Sequence, residues 1–308
     1  MHRSALPPSI ESGPFTYRQG LDAGATRSRL RARDLRVPHH GVRSAVESPG
    51  AVGRARELWP VLADDEFFAH LTALELWGLP VPRHLENGPL HVGGTSTRQR
   101  RRPGIRGHRY ADGTPVTVFH GVRLSTPLEA WLQAAPVLGL DDAIRLGDAL
   151  AGRWSPWTVA REVEIERLAR TVERARRRPG VTTLRRALEL VRPGVESPKE
   201  TELRLLIVRA GLPEPEVNVR RFDAGGSPLG RPDLSYGWCR LAFEYQGDHH
   251  RTDRATWRLD LSRRERFEDA GWRVVLVSDD DLHGVAASAL LARIRRHVAA
   301  HRRRAGTL

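Results

Sequence analysis

Two acidic residues, Asp233 and Glu244, lie in the stretch RPDLSYGWCRLAFEYQGDHHR at positions 231–251. The stretch reads as two short strands joined by a turn. Side chains on a strand alternate between faces. Leu241, Phe243 and Tyr245 therefore point one way, and Ala242, Glu244 and Gln246 the other. Hairpin-like pairing would bring Asp233 towards Glu244 across the ladder. Two carboxylates meeting there repel each other unless a cation sits between them. Ligands made only of oxygen suit Mg²⁺ or Mn²⁺.

Pro232-Asp233, ten residues, then Glu244-x-Gln246 resembles the metal-binding signature of restriction-endonuclease-like nucleases, Pro-Asp followed by Glu-x-Lys, with Gln in the last position. Gly247-Asp248-His249-His250-Arg251 is similar to the branch that includes very-short-patch-repair endonucleases. The resemblance covers about residues 196–283. It implies Mg²⁺- or Mn²⁺-dependent hydrolysis of DNA phosphodiesters, with Asp233, Glu244 and main-chain oxygen near Tyr245 as ligands. In place of the absent lysine, either Gln246 positions a water or His250 accepts its proton, in preference to His249. The alternative for residues 248–251 is an exposed polar loop, and Arg251 is a candidate phosphate contact. The family's first helix also brings a Glu towards the metal, which here is Glu200. Ser197-Pro198-Lys199-Glu200 by itself reads as a capping box whose carboxylate turns back to the helix start. Asp253, Asp260 and Arg264 match further polar positions of the family, and Asp260 could brace Arg264 at i+4.

Several elements must position these groups. The helix opened by Ser197 runs through Ala210 and is closed by Gly211. A strand follows over 216–222, then a turn at Asp223–Ser227. A second helix runs from near Thr256 through Asp269, and Trp272–Val277 forms a last strand before Ser278 caps another helix. The order α-β-β-β-α-β-α predicts a mixed sheet with helices on both faces.

The front of the chain has a different texture. Residues 1–12 read as a loose leader. Thr16 can cap a helix in YRQGLDAG, Thr26 a second helix through Leu35, and Arg36–Val42 a strand-turn-strand. Phe15-Thr16, Gln19, Gly24, Arg29, Arg33 and Gly41-Val42 resemble the winged-helix domain of abortive-infection type IV antitoxin-like proteins. Arg43 stands where such a wing carries Tyr. Arg29 and Arg33 fit a recognition helix contacting phosphates, or the surface of a packing module. Farther on, DDEFFAHLTALELWGLPVP reads as a helix capped by Asp64 or Asp65, with His70 as a packed core histidine. The run 98–109, containing Arg100, Arg101 and Arg102, reads as a basic loop that crosses a phosphate backbone or as an exposed arm. Thr126–Glu129 is a capping box. Two Arg- and Glu-rich helices, divided by Pro179-Gly180, read as a connector.

Composition agrees with a polyanionic partner. The 308 residues carry 50 basic and 37 acidic side chains, net +13, and only Lys199 is lysine. That excess favours DNA over a neutral ligand. One cysteine, Cys239, excludes an intramolecular disulfide and a cysteine zinc site and fits a reducing cytoplasm. No apolar run nears the ~20 residues of a membrane span, and the first residues lack the apolar core of a signal peptide. The expected fold is a multidomain α+β or α/β chain. Its parts are a leader (1–12), a winged-helix unit (13–46), a mixed helical middle with a small sheet (47–152), a helical connector (153–195), an endonuclease-like domain (196–300) and a basic tail (301–308). A non-catalytic DNA-binding regulator remains the alternative to an enzyme.

Overall fold

The computed structural model describes residues 5–95, 101–246 and 254–305, and for 101, 102, 254–261 and 305 the backbone alone. The chain is mixed α+β. It divides into two compact units, one of residues 1–146, 155–160 and 166–189, the other of 147–154, 161–165 and 190–308. Among the described residues no helix is long and apolar enough to cross a membrane.

The first unit opens with α1 (Pro8–Glu11), β1 (Phe15–Thr16), α2 (Tyr17–Asp22), α3 (Arg27–Leu30) and β2 (Val42–Arg43). Thr16 and Gln19 form a full capping box at α2, and Thr26 caps α3. The loose leader is not what its described part shows. Leu6 and Ile10 are buried with Phe15, Leu30 and Leu35, because two apolar side chains in eight residues gain more from a core than from water. Helix α3 stops at Leu30 rather than Leu35. Phe15 and Thr16 pair with Arg43 and Val42, while Arg36 bridges Ser44. Arg43 lies over the Tyr17 ring and donates to the Leu30 carbonyl.

Next come α4 (Gly50–Leu58), β3 (Phe67–Phe68), α5 (His70–Leu76), β4 (Leu90–Gly94), β5 (Arg101–Arg102), β6 (Ile105–Arg109), β7 (Val116–Phe119) and β8 (Val122–Ser125). Strands β3 to β8 make a six-stranded sheet in the order β5-β6-β4-β3-β8-β7. Helices α5 and α6 (Pro127–Ala134) pack on it. Two sequence expectations change here. Phe67 and Phe68 are a central strand, so neither Asp64 nor Asp65 caps a helix and α5 begins at His70. Much of the basic run is strand, with β5 antiparallel to β6 and β6 parallel to β4. At α6, Thr126 makes no side-chain cap bond. Glu129 instead receives Gln133 Nε2 at 3.1 Å and Arg178 Nη1 at 2.6 Å, since a buried carboxylate is better served by a guanidinium than by one amide.

Inside this unit three histidines stack. His70 lies 4.2 Å from His91 and 5.2 Å from His108, with ring planes within 13°. His91 Nδ1 and His108 Nε2 are 2.8 Å apart and share a hydrogen bond. His70 and His91 are buried, and His70 Nδ1 has no partner. Its backbone sits in the left-handed region, φ 56°, held by an amide bond to Gln133 Oε1. Burial drives the His70 pKa to about 2 and the His91 pKa to about 3, and the neighbouring imidazoles add to both shifts.

α7 (Leu140–Ala151), α8 (Ile165–Arg174) and α9 (Val181–Leu188) follow, with Gly180 at φ 79° between the last two. The second unit then adds α10 (Pro198–Arg209), β9 (Glu216–Val217), β10 (Arg221–Phe222), β11 (Pro228–Gly230), β12 (Leu234–Tyr236), β13 (Leu241–Tyr245), α11 (Arg254–Asp269), β14 (Arg273–Val277) and α12 (Gly284–Ala305). Its main sheet runs β14-β13-β12-β9, and only β13–β14 is parallel. The expected first strand is split: β9 joins this sheet, while β10 pairs with β11 apart from it. The expected basic tail is, to residue 305, the end of α12.

Gly152 illustrates how tightly this unit closes. A Cβ there would fall 1.9 Å from the Val195 carbonyl oxygen. Backbone cannot give way as a side-chain tip does. Gly152→Ala is therefore expected to lower stability by about 1–3 kcal/mol, read from the midpoint of chemical unfolding.

Candidate functional site

Strand β13 separates two environments. Leu241 and Phe243 enter the main core with Leu203, Leu234, Val275 and Leu290, and Tyr245 packs against it. Ala242 faces the other way, into a smaller cluster with Leu229, Phe267 and Trp272. By alternation Glu244 shares the Ala242 face. Helix α11 lies along that face, and from it Arg263 Nη2 reaches Glu244 Oε1 at 2.6 Å. The same nitrogen donates to the Arg231 carbonyl.

The antiparallel register of β12 on β13 pairs Leu234 with Phe243 and Ser235 with Ala242. Continued by one residue, it sets Asp233, which directly precedes β12, opposite Glu244. The Asp233 carboxylate is anchored, with Oδ2 accepting the Tyr245 amide at 2.7 Å. Burial raises its pKa, against the lowering effect of that bond and of Arg263.

Glu200 completes the acidic edge. Ser197 Oγ caps the Glu200 amide, and Glu200 Oε2 turns back to the Glu196 amide at 2.9 Å. The cap reading therefore describes its hydrogen bonds, one residue upstream of the usual target. The same oxygen receives Asn218 Nδ2 at 2.7 Å. Asn218 adopts φ 50° and donates its own amide to the Asp233 carbonyl, a left-handed conformation that Asn tolerates better than most residues. Asn218 thus ties the α10 carboxylate to the Asp233 backbone. Burial lifts the Glu200 pKa to about 7, and the charge on Asp233 adds to it. Glu200 and Asp233 consequently feel each other across this link.

Other predicted residues stand elsewhere. Gln246 is exposed, and its amide donates to the Val277 carbonyl. His250, its neighbour His249, Asp253 and Arg251 lie outside the described residues, as does Arg100. Arg101 and Arg102 form β5. Arg29 is engaged by Asp34 through two bonds of 3.1 and 3.0 Å and is 10% exposed. Arg33 is exposed beyond the end of α3. Arg264 pairs with Glu268 at 2.7 Å. The sole lysine, Lys199, binds Glu202 and Asp279. Sequence reasoning missed Arg263 and Asn218. Arg263 sits in a run with Arg264 and Arg266, and only packing of α11 selects which of them meets the strand.

The donor set is oxygen only. Mg²⁺ commonly takes one or two carboxylates and completes its shell with water and substrate phosphate. Asp233 and Glu244 fit that minimum. Among the described residues no group of three or more acidic, His or Cys side chains is arranged to hold a metal ion.

The chain is similar to two proteins of Mycobacterium tuberculosis, uncharacterized protein MT2308 of strain CDC 1551 / Oshkosh and uncharacterized protein Rv2248 of strain ATCC 25618 / H37Rv. Each is 28% identical over 198 residues, which covers 56% of this chain and 72% of the relative. No family model matches the chain, and neither does any solved structure.

Proposed function

We propose that the second unit is a restriction-endonuclease-like domain that hydrolyses DNA phosphodiester bonds, with Asp233 and Glu244 as the ligands of one Mg²⁺ or Mn²⁺. The observation that carries this reading is the β12–β13 register, which, continued one residue past Leu234–Phe243, sets those two carboxylates opposite each other at the ends of the two inner strands of the sheet, with Glu200 close enough to feel the Asp233 charge. When bound, the ion supplies the positive charge that polarises a phosphodiester. Asp233 holds its carboxylate in place through the Tyr245 amide. Glu200, with a pKa near neutrality, can exchange a proton at the same edge. Gln246 orients a water or His250 receives its proton. Residues 13–46, with the capped helices α2 and α3 and the β1–β2 ladder, act as a winged-helix DNA-binding module, and the net charge of +13 supports a DNA partner.

A second reading has its own observation. Glu244 is already paired with Arg263, and a carboxylate held by a guanidinium suits a domain that grips DNA without cutting it. Plasmid nicking in Mg²⁺ or Mn²⁺ decides between them. The enzyme reading expects nicking by the purified chain and at least a hundredfold loss in Asp233→Ala and Glu244→Ala, on the order of what a ligand's removal costs. Salt-sensitive DNA binding with no nicking by any of the three would leave the regulator.

A further inference from the structure

The ion pair between α11 and β13 carries an inference about how this acidic edge is controlled. Arg263 Nη2 contacts Glu244 Oε1 at 2.6 Å, and the two side chains are 31% and 19% exposed. The same nitrogen donates to the Arg231 carbonyl, so one donor bridges the residue two before Asp233 and the carboxylate opposite it. Arg263 Nε, by contrast, is buried without any hydrogen-bond partner. It lies 2.9 Å from where a Cβ on Gly230 would be, so glycine at 230 (φ 140°) is what lets the guanidinium lie this close to the chain. Arg263 also lowers the Asp233 pKa. Arg263 therefore sets one positive charge against Glu244, close enough for Asp233 to feel it, at the place a divalent ion would need.

We propose that Arg263 is the resident counter-ion of the Asp233–Glu244 edge: it competes with a divalent cation for Glu244 and, once displaced, supplies the positive charge towards the substrate phosphate that no lysine provides at position 246. This rests on the reading of the edge as an ion site. Exchange of partners conserves charge. The carboxylate passes from guanidinium to divalent ion, and the guanidinium passes from carboxylate to phosphate, an anion that it binds equally well in two-point fashion. Divalent ion and phosphodiester should then bind cooperatively, since each removes the other's competitor or restores its partner.

The test measures Mn²⁺ affinity of the full chain by calorimetry, with and without a short non-cleavable phosphorothioate duplex. Arg263→Gln, nearly neutral in size, removes the competitor. It is expected to bind Mn²⁺ about tenfold more tightly than the wild type and to lose the duplex-induced tightening. Arg263→Lys, checked for native circular dichroism, keeps the charge but cannot make a two-point contact. It should fall between the two and serves if Arg263→Gln does not fold. Asp233→Asn is the control for the ion site itself. Mn²⁺ uptake by the wild type that Asp233→Asn abolishes, with affinity and cooperativity unchanged in both Arg263 variants, overturns the role of Arg263 alone. No uptake by the wild type or by either Arg263 variant overturns the ion site and this proposal with it. Uptake appearing only in Arg263→Gln supports the competition directly.

Discussion

Acidification is expected to destabilise the unit that holds the histidine stack, in steps that can be assigned. Unfolded histidine protonates near its ordinary value of 6.5, whereas folded His70 and His91 wait until about 2 and 3. Between those limits the unfolded chain binds the extra protons, so stability is complete above pH 6.5 and is lost as the pH falls. Each such histidine removes about 1.4 kcal/mol per pH unit, and the pair about 3. Glu75 acts against them. Burial lifts its pKa from 4.5 to about 7, so the folded chain is the one that holds its proton between those values, and it returns about 1.4 kcal/mol per unit over that span. His70, His91 and Glu75 together therefore give a slope of about 1.4 kcal/mol per unit down to pH 4.5 and about twice that below, and His108, whose pKa burial also lowers, adds to the loss. Against a total stability of roughly 5–15 kcal/mol, this is enough to unfold the unit before strong acid is reached. Urea midpoints taken along the pH series should show the break in slope. Glu75→Gln should remove the break, and His91→Gln should flatten the curve throughout. Imidazole proton signals of His70 and His91 that titrate in the folded protein near pH 6.5 would refute the account.

A second large effect is expected at Asp148, in the other unit. Asp148 and Arg204 are both wholly buried. Asp148 Oδ1 accepts the Arg192 amide at 2.7 Å, while Oδ2 accepts the Thr201 hydroxyl at 2.7 Å and Arg204 Nη2 at 2.8 Å. Burial raises the Asp148 pKa against the pull of Arg204 and the Arg192 amide, so the carboxylate depends on all three donors. Asp148→Ala would leave the Arg204 charge with Glu214 and the Leu190 carbonyl alone. Breaking one side of a buried pair costs about 3–5 kcal/mol. Asp148→Asn is not a mild change here, because both oxygens face donors and an amide NH₂ must oppose one of them. Asp148→Leu with Arg204→Met removes both charges and should recover part of the loss. It cannot recover all, since Thr201 and the Arg192 amide remain without their acceptor. A loss below about 1 kcal/mol in Asp148→Ala would show that this network does not hold α10 in place. Because α10 carries Glu200, a distorted network should also perturb the acidic edge.

Much of the local structure was legible along the chain. Thr16 with Gln19, Thr26 and Ser197 announce helix starts, because a hydroxyl at that position satisfies an otherwise orphaned amide whatever surrounds it. Alternation along 241–246 separates the Leu241, Phe243 and Tyr245 face from the Glu244 face, because the period of a strand does not depend on its partner. The wrong expectations share a cause. Phe67 and Phe68 fit a helical pattern and the basic run fits a loop, yet both are strand, because strand pairing is set by distant partners, β4 and β8 in the first case and β4 in the second. Thr126–Glu129 has the letters of a capping box, yet Glu129 is taken by Arg178, far along the chain.

The sequence by itself determined the two carboxylates, their spacing, the faces they occupy and the excess of positive charge. Only the tertiary structure decided which arginine of α11 meets Glu244, that Asn218 links Glu200 to Asp233, and that His70, His91 and His108 lie in one stack. Those pairings join residues from separate elements, and the energy that selects them comes from burial and charge at the contact, which no local pattern encodes.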